Sequence, residues 1–439
     1  MIIHVVRPGD TIQSIADQYD ISVMRLIQDN GLENLRDLVI GQSIVIAFPV
    51  QTYTVQEGDT LQDIATAFDV SIMQLYRNNP HLTDREYIYP GETIVIKYNN
   101  TKGNIMIHGN TFPFINENTF RKTLPYLTYL SIINYTATDE GDIITHYDET
   151  DMIGVAREYG VMPLMLITTL SIRGEANIGI AYDILINEEF QNRLIDNILA
   201  ILKEKGYFGV NLAFQYLNIS NLRLYESYLT KINKRLTQEG YVVFVTINPI
   251  REIDDVLRYE RVDYSQINQL TDYIVFMNNE RVMDMLPPSP IISVSNIEEF
   301  IDFIDRYVTP DKIMLGIPSI GQDWQLPFVA GFSDVNTLIY ANVIQLASNV
   351  GASIEFDEMS QTPYFTYTVI NYGRPIEHIV WFVDARTIDA LLNLQLEYNL
   401  PGIDYWNIMM FNPQFWLIIN SQYEILKNMN LYREEEDMS

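Results

Sequence analysis

The chain has 439 residues, with 28 Lys+Arg against 57 Asp+Glu and a formal net charge of −29. That balance repels phosphate backbones and anionic lipid headgroups, which argues against nucleic acid and charged membrane surfaces as partners. There are no cysteines, and the five histidines form no HxH or HExxH pattern, so no metal site and no cofactor is expected.

A hydrophobic fraction of 47% and a charged fraction of 19% fit packed globular domains. At about 150 residues per domain, the length suggests roughly three. No apolar run reaches the roughly 20 residues of a membrane span. The opening segment MIIHVVRPGDT has no basic stretch ahead of its short apolar patch, so no signal peptide is expected.

The first hundred residues repeat. HVVRPGDTIQSIADQYDIS (residues 4–22) returns as YTVQEGDTLQDIATAFDVS (residues 53–71). Gly9, Asp10 and Thr11 align with Gly58, Asp59 and Thr60, and Asn30 aligns with Asn79. The closing GQSIVI (41–46) aligns with GETIVI (91–96). One unit reads as a short strand, a glycine turn, a helix, a second helix and a closing strand. In the first helix Ile12, Ile15, Ala16 and Tyr19 form one apolar face. Asp10 or Thr11 would serve as N-cap. This β-α-α-β pattern resembles the lysin motif (LysM) family, and the match covers both repeats. The resemblance implies binding of N-acetylglucosamine glycans such as peptidoglycan or chitin. It places one groove between Gly9, Asp10, Thr11 and Ile12 and the segment from Leu38 to Gly41. The second lies between Gly58, Asp59, Thr60 and Leu61 and the segment from Ile88 to Gly91. Taken singly, each Gly, Asp or Thr serves equally as a turn or cap residue.

After a polar linker, Asn99 to Gly103, eight apolar runs alternate with helical patterns. The runs are 104–109, 128–135, 163–170, 208–216, 241–247, 272–278, 312–319 and 402–408. They read as apolar throughout, as strands buried on both faces should. Eight β/α alternations over about 300 residues predict a closed (β/α)8 barrel of the α/β class. A long gap before the last run predicts a small α+β insertion. The expected division is 1–48 and 52–98 for the two LysM domains, 103–430 for the barrel with an insertion at about 322–384, and an acidic tail at 431–439.

The segments KTLPYLTYLSI, YGVMPLMLIT, KGYFGVNL, IMLGIPSIGQDWQLPF and HIVWFVDART resemble family 18 glycoside hydrolases of the spore cortex-lytic type. That family uses substrate-assisted hydrolysis. The resemblance implies a strand-four acidic motif ending in a general-acid Glu, with an acetamide-orienting Asp two residues earlier. Alternation along a strand points positions i, i+2 and i+4 into the barrel. Here those positions are Asn211, Ala213 and Gln215. Asn at the first is common in the spore group. Ala cannot hydrogen-bond an acetamide, and Gln has no proton to give up. Asn279, Ile320 and Val383 depart from the family's pattern as well. No intact catalytic set is expected. Residues retained for sugar binding would be Tyr216, Met277, Asn279, Glu280, Asp323, Trp324 and Trp406. Of these, Trp406 matches the floor of the −1 subsite, and barrel packing is its other explanation.

The expected function is a spore-envelope protein that binds peptidoglycan and carries an inactive barrel, acting in attachment or assembly. The expected location is the cortex or coat region, after synthesis in the mother cell. Two alternatives stand beside it. One is an active N-acetylglucosaminidase of cortex fragments, of which a chain captured as an inactivated mutant is one form. The other is a self-assembling coat or appendage protein whose partners are coat proteins or further copies of itself.

Overall fold

The computed structural model describes residues 1–32, 37–83, 85, 87–170, 178–214, 221–253, 256–259, 261–277, 287–371 and 373–427. The first repeat pairs strand Ile2–Val5 with Ser43–Ile46 in antiparallel register, around helices Ile12–Tyr19 and Val23–Asn30. The second pairs Pro49–Thr54 with Thr93–Tyr98, around Leu61–Phe68 and Ile72–Asn78. Each repeat has its own small core: Ile15, Leu26, Ile44 and Ile46 in one, Ile64, Leu75, Ile94 and Ile96 in the other.

The aligned asparagines have a physical role. Asn30 donates to Leu26 O and Val45 O, and its Oδ1 accepts from Val45 N at 2.7 Å. Asn79 makes the same three bonds, to Leu75 O, Val95 O and Val95 N. Each latches the end of a second helix to a closing strand, and both are buried.

Eight parallel strands then form a closed barrel: 104–111, 129–137, 162–168, 209–213, 242–247, 273–276, 313–318 and 402–406. Each pairs with the next, and the eighth closes onto the first. Every strand overlaps a run visible in the sequence; strands 104–111 and 129–137 continue two residues past theirs, and strand 162–168 begins one residue before its run. Inside the barrel, Tyr129, Leu164, Phe244 and Met314 form a closed apolar floor. Between strands seven and eight the chain builds a five-stranded antiparallel sheet and the helix Tyr340–Val350. Among the described residues, no helix is long and apolar enough to cross a membrane.

The repeats are docked on the barrel through the helix Pro413–Asn420, whose residues Gln414 to Asn420 are all buried. A helix buried on every side needs partners all round. Gln414 donates to Asn30 Oδ1 and to Ser43 O, at 3.0 and 2.8 Å. Asn420 donates to Arg77 O and to Asn78 Oδ1, at 3.2 and 2.8 Å. Tyr126 of the barrel also donates to Arg77 O. One short helix thus contacts both repeats and the barrel.

Candidate functional site

The GDT loops come first in the chain. Gly9 and Gly58 both take φ of +92°, a conformation open to glycine. Asp10 accepts from Arg7 N at 2.7 Å and sits 3.0 Å from His4 Nε2. The Arg7 amide, and then the His4 ring, hold its carboxyl below the ordinary aspartate value. Asp59 accepts from Gln56 N and Tyr53 OH. Thr11 caps its helix in a reciprocal box with Ser14, and Thr60 caps from the same position. The Asp therefore closes the turn and the Thr starts the helix. Both side chains are engaged locally, and the groove surface left over is backbone and apolar rim.

The two repeats differ at the facing segment. In the first, Ile40 O accepts from Ile354 N at 2.8 Å, and Gly41 O accepts from Arg386 at 3.2 Å. Val39 is buried in the insertion's own apolar cluster with Val343, Ile344 and Ile354. The segment from Leu38 to Gly41 is thus held against the insertion. In the second repeat Gly91 has open space around it, and Tyr87 and Tyr89 are 70% and 58% exposed. Ile88 lies half-buried between them.

Above the apolar floor the barrel carries a buried polar layer. Asn211 donates to Ser131 Oγ at 3.1 Å and accepts from Thr246 Oγ1 at 2.8 Å. His108 Nε2 lies 2.8 Å from Ser131 Oγ, and His108 Nδ1 lies 2.8 Å from Asp404 Oδ1. Asn110 donates to the same carboxylate oxygen at 2.6 Å. Asn211 on strand four reaches Ser131 on strand two, so these groups meet inside the barrel. The eight runs are therefore not apolar throughout. His108, Ser131, Asn211, Thr246 and Asp404 each stand as a polar residue within a largely apolar strand. Sequence reasoning singled out Asn211 alone, although that shared pattern could have revealed the others.

Ala213, two residues beyond Asn211, ends strand four with a methyl group that is 5% exposed. Met277 follows strand six and is buried. Trp406 ends strand eight and is half-buried. Gln215, Tyr216, Asn279 and Glu280 lie outside the described residues. Two candidates fall away from the mouth surface. Trp324 is 1% exposed and packs in the main core. Asp323 accepts from Tyr367 OH at 2.7 Å and lies 2.9 Å from His378 Nδ1, within the insertion sheet. Both belong to a strand of that sheet rather than to a loop, which buries the ring and commits the carboxylate.

A closed (β/α)8 barrel whose fourth strand carries motif positions 211 and 213 defines a protein of the barrel glycoside hydrolase class. Residues 164–410 match glycosyl hydrolases family 18, and residues 4–47 and 53–97 match the LysM domain. The chain belongs to glycosyl hydrolases family 18. It is 31% identical over 436 residues to the cortical fragment-lytic enzyme of Bacillus subtilis, covering 97% of this chain and 99% of that one. The crystal structure of the spore cortex-lytic enzyme SleL of Bacillus cereus superposes with a TM-score of 0.78 at 27% identity, covering 97% of this chain and 99% of that one. SleL of Bacillus megaterium gives 0.77 at 28% identity, over 97% and 98% of the two chains.

Proposed function

We propose that this chain is a peptidoglycan-binding protein of the spore envelope whose barrel no longer hydrolyses glycans. The observation that carries the reading is position 213. A methyl group stands where the family's mechanism needs a carboxylate to hold the acetamide. Its neighbour Asn211 is fully buried, with its amide bonded to Ser131 and Thr246 in the layer below. Gln215 offers an amide in place of the acid. An amide can hydrogen-bond a glycosidic oxygen but has no titratable proton, and general-acid help is worth about 10²–10⁴-fold.

Glycan capture falls to the second repeat under this reading. Its Ile88–Gly91 rim is open and aromatic, whereas the first repeat's Leu38–Gly41 segment is held by the insertion. The pair then acts as one capture site and one docking unit, in place of two equivalent sites. Retention of the full chain on insoluble peptidoglycan, with no release of reducing ends from cortex fragments, is the decisive test. The second reading, an active N-acetylglucosaminidase, is favoured by the cortical fragment-lytic relatives, and reducing-end release by the wild type would select it.

A further inference from the structure

Across its width the insertion sheet runs 335–339, 320–326, 374–382, 362–371 and 355–357, so it has two edges. The edge strand Glu355–Asp357 is three residues long and carries a carboxylate at each end. Short length and charge are ordinary ways of keeping a sheet edge from pairing with another chain. The other edge strand, Val335–Ile339, has neither protection. It is five residues, Val-Asn-Thr-Leu-Ile, with no charge, no proline and an unbroken register against Ile320 to Trp324.

The register fixes which of its backbone groups face outward. Asp334 O accepts from Gln325 N at 3.2 Å. Bonded pairs alternate along an antiparallel ladder, so Asn336 and Leu338 bond inward, to Asp323 and Gly321. Ile320, opposite Ile339, accordingly bonds on its far side, where its carbonyl accepts from Val383 N. Val335 and Thr337 therefore turn both N–H and C=O away from the sheet. Ile339 turns its N–H outward, its carbonyl opening the helix that follows. These outward groups have no hydrogen-bond partner among the described residues. The same three residues, and not Asn336 or Leu338, line a cavity of about 800 Å³ between the insertion, the first repeat and the barrel. None of the cavity's lining residues is charged, on a chain of net charge −29.

We propose that this edge takes up an extended, uncharged polypeptide segment of a partner protein, which joins the five-stranded insertion sheet as a further strand inside the cavity. Outward backbone donors and acceptors at every second residue are matched by another extended backbone, and strand addition of this kind is a recurring mode of peptide recognition. A charged side chain would lose water in the cavity and meet no counter-charge, which selects a neutral segment. The first repeat and residues 410–413 complete the walls, so a single strand has room there and the folded sheet of a second copy does not. The site gives the chain a protein partner, and it stands whether or not either repeat holds a glycan.

Residue-resolved hydrogen exchange of the full chain with the capped peptide acetyl-Thr-Val-Thr-Val-Thr-amide tests this. The amides of Val335, Thr337 and Ile339 should slow about tenfold or more at saturation, while those of Asn336 and Leu338, already bonded inward, should change little. Acetyl-Thr-Glu-Thr-Glu-Thr-amide should give no protection. Thr337→Pro removes one outward donor and leaves the inward bonds at 336 and 338 in place. Thr337→Lys puts a charge at an exposed position of the edge. Each should weaken the neutral peptide about tenfold, with melting unchanged, and the lysine variant carries the test if the proline variant does not fold. Absence of the alternating protection, equal protection by the acidic peptide, or binding that survives both variants would overturn the site. Protection of these amides by the N-acetylglucosamine trimer and not by the peptide would overturn it in favour of a glycan. Protection that rises with protein concentration and needs no peptide would overturn it in favour of a contact between copies.

Discussion

The carbonyl oxygen of Ile354 lies 1.9 Å from where a β-carbon on Gly41 would stand. The insertion and the first repeat approach so closely there that only glycine leaves room. Gly91, at the matching place in the second repeat, has nothing within 4 Å. Both take positive φ, +84° and +90°.

Gly41→Ala and Gly91→Ala should therefore separate. Each carries the backbone strain of a side chain at positive φ, roughly 1 kcal/mol. Gly41→Ala must in addition push the insertion away. Urea unfolding should show Gly41→Ala as the more destabilising by at least about 1–2 kcal/mol, with faster proteolysis of residues 37–48. Equal losses for the two variants would mean that the contact is not held in solution.

The docking helix predicts a single cooperative unit. Gln414→Leu removes the donor that reaches Asn30 and Ser43 and leaves buried acceptors with one partner fewer, a cost of about 1–3 kcal/mol. A truncation to residues 103–439 strips the cover from Gln414 to Asn420 and should aggregate or melt broadly. Calorimetry of the full chain should give one transition. A sharp, soluble transition for the truncated barrel would show that docking contributes little.

Wild-type protein should release no reducing ends from cortex fragments or chitooligosaccharides. The double variant Ala213→Asp/Gln215→Glu should recover only weak turnover, because Ile320 and Val383 also depart from the family pattern. A displacement of about 1 Å in a bound sugar can cost on the order of 10²-fold. Strong activity in the double variant would mean that the subsite is intact and that only the two chemical groups were lost.

Retention on insoluble peptidoglycan should depend on the second repeat. Tyr89→Ala together with Ile88→Asp should reduce it about tenfold or more, since both change the open rim. Ile40→Asp, on the segment held by the insertion, should have a much smaller effect. The reverse ranking in a pull-down would return capture to the first repeat.

His81 supplies a pH signature. Burial, and then the nearby Arg85 and Arg25, push its pKa down to about 4. The unfolded chain takes up that proton near pH 6.5, while the folded chain resists it. Between those values the unfolded state binds more protons, so stability is full above about pH 6.5 and falls as the pH drops toward 4. The melting temperature of wild type should decline over that window more steeply than that of His81→Gln. Parallel slopes would show that the ring is hydrated.

Much of the architecture was legible because it is written in local periodicity. Strands buried on both faces appear as apolar runs, and the repeat aligns Asn30 with Asn79 before any contact is known. The polar layer was harder to see. His108 and Asp404 are one residue each in two runs nearly three hundred positions apart, and closure of the barrel is what brings them within 2.8 Å. Trp324, a sugar-binding candidate by sequence, is core because strand pairing in the insertion buries its ring, and that pairing leaves no signal in the GQDW segment itself. Docking had no local signal at all. Gln414 and Asn420 are two polar residues at the ends of an apolar helix, and their partners lie in another domain.

The order in which the chain leaves the ribosome gives that helix another consequence. The two repeats emerge first and can close their own small cores, but their seat on the barrel is not built until residue 420 has cleared the exit tunnel. Until then Asn30 and Asn78 hold their own repeats together without Gln414 and Asn420, the partners that later reach them from the helix. A chain stalled or ended before residue 413 would carry two finished N-terminal modules on a barrel lacking the helix that seats them. Such a chain would expose unfinished barrel surface to its neighbours.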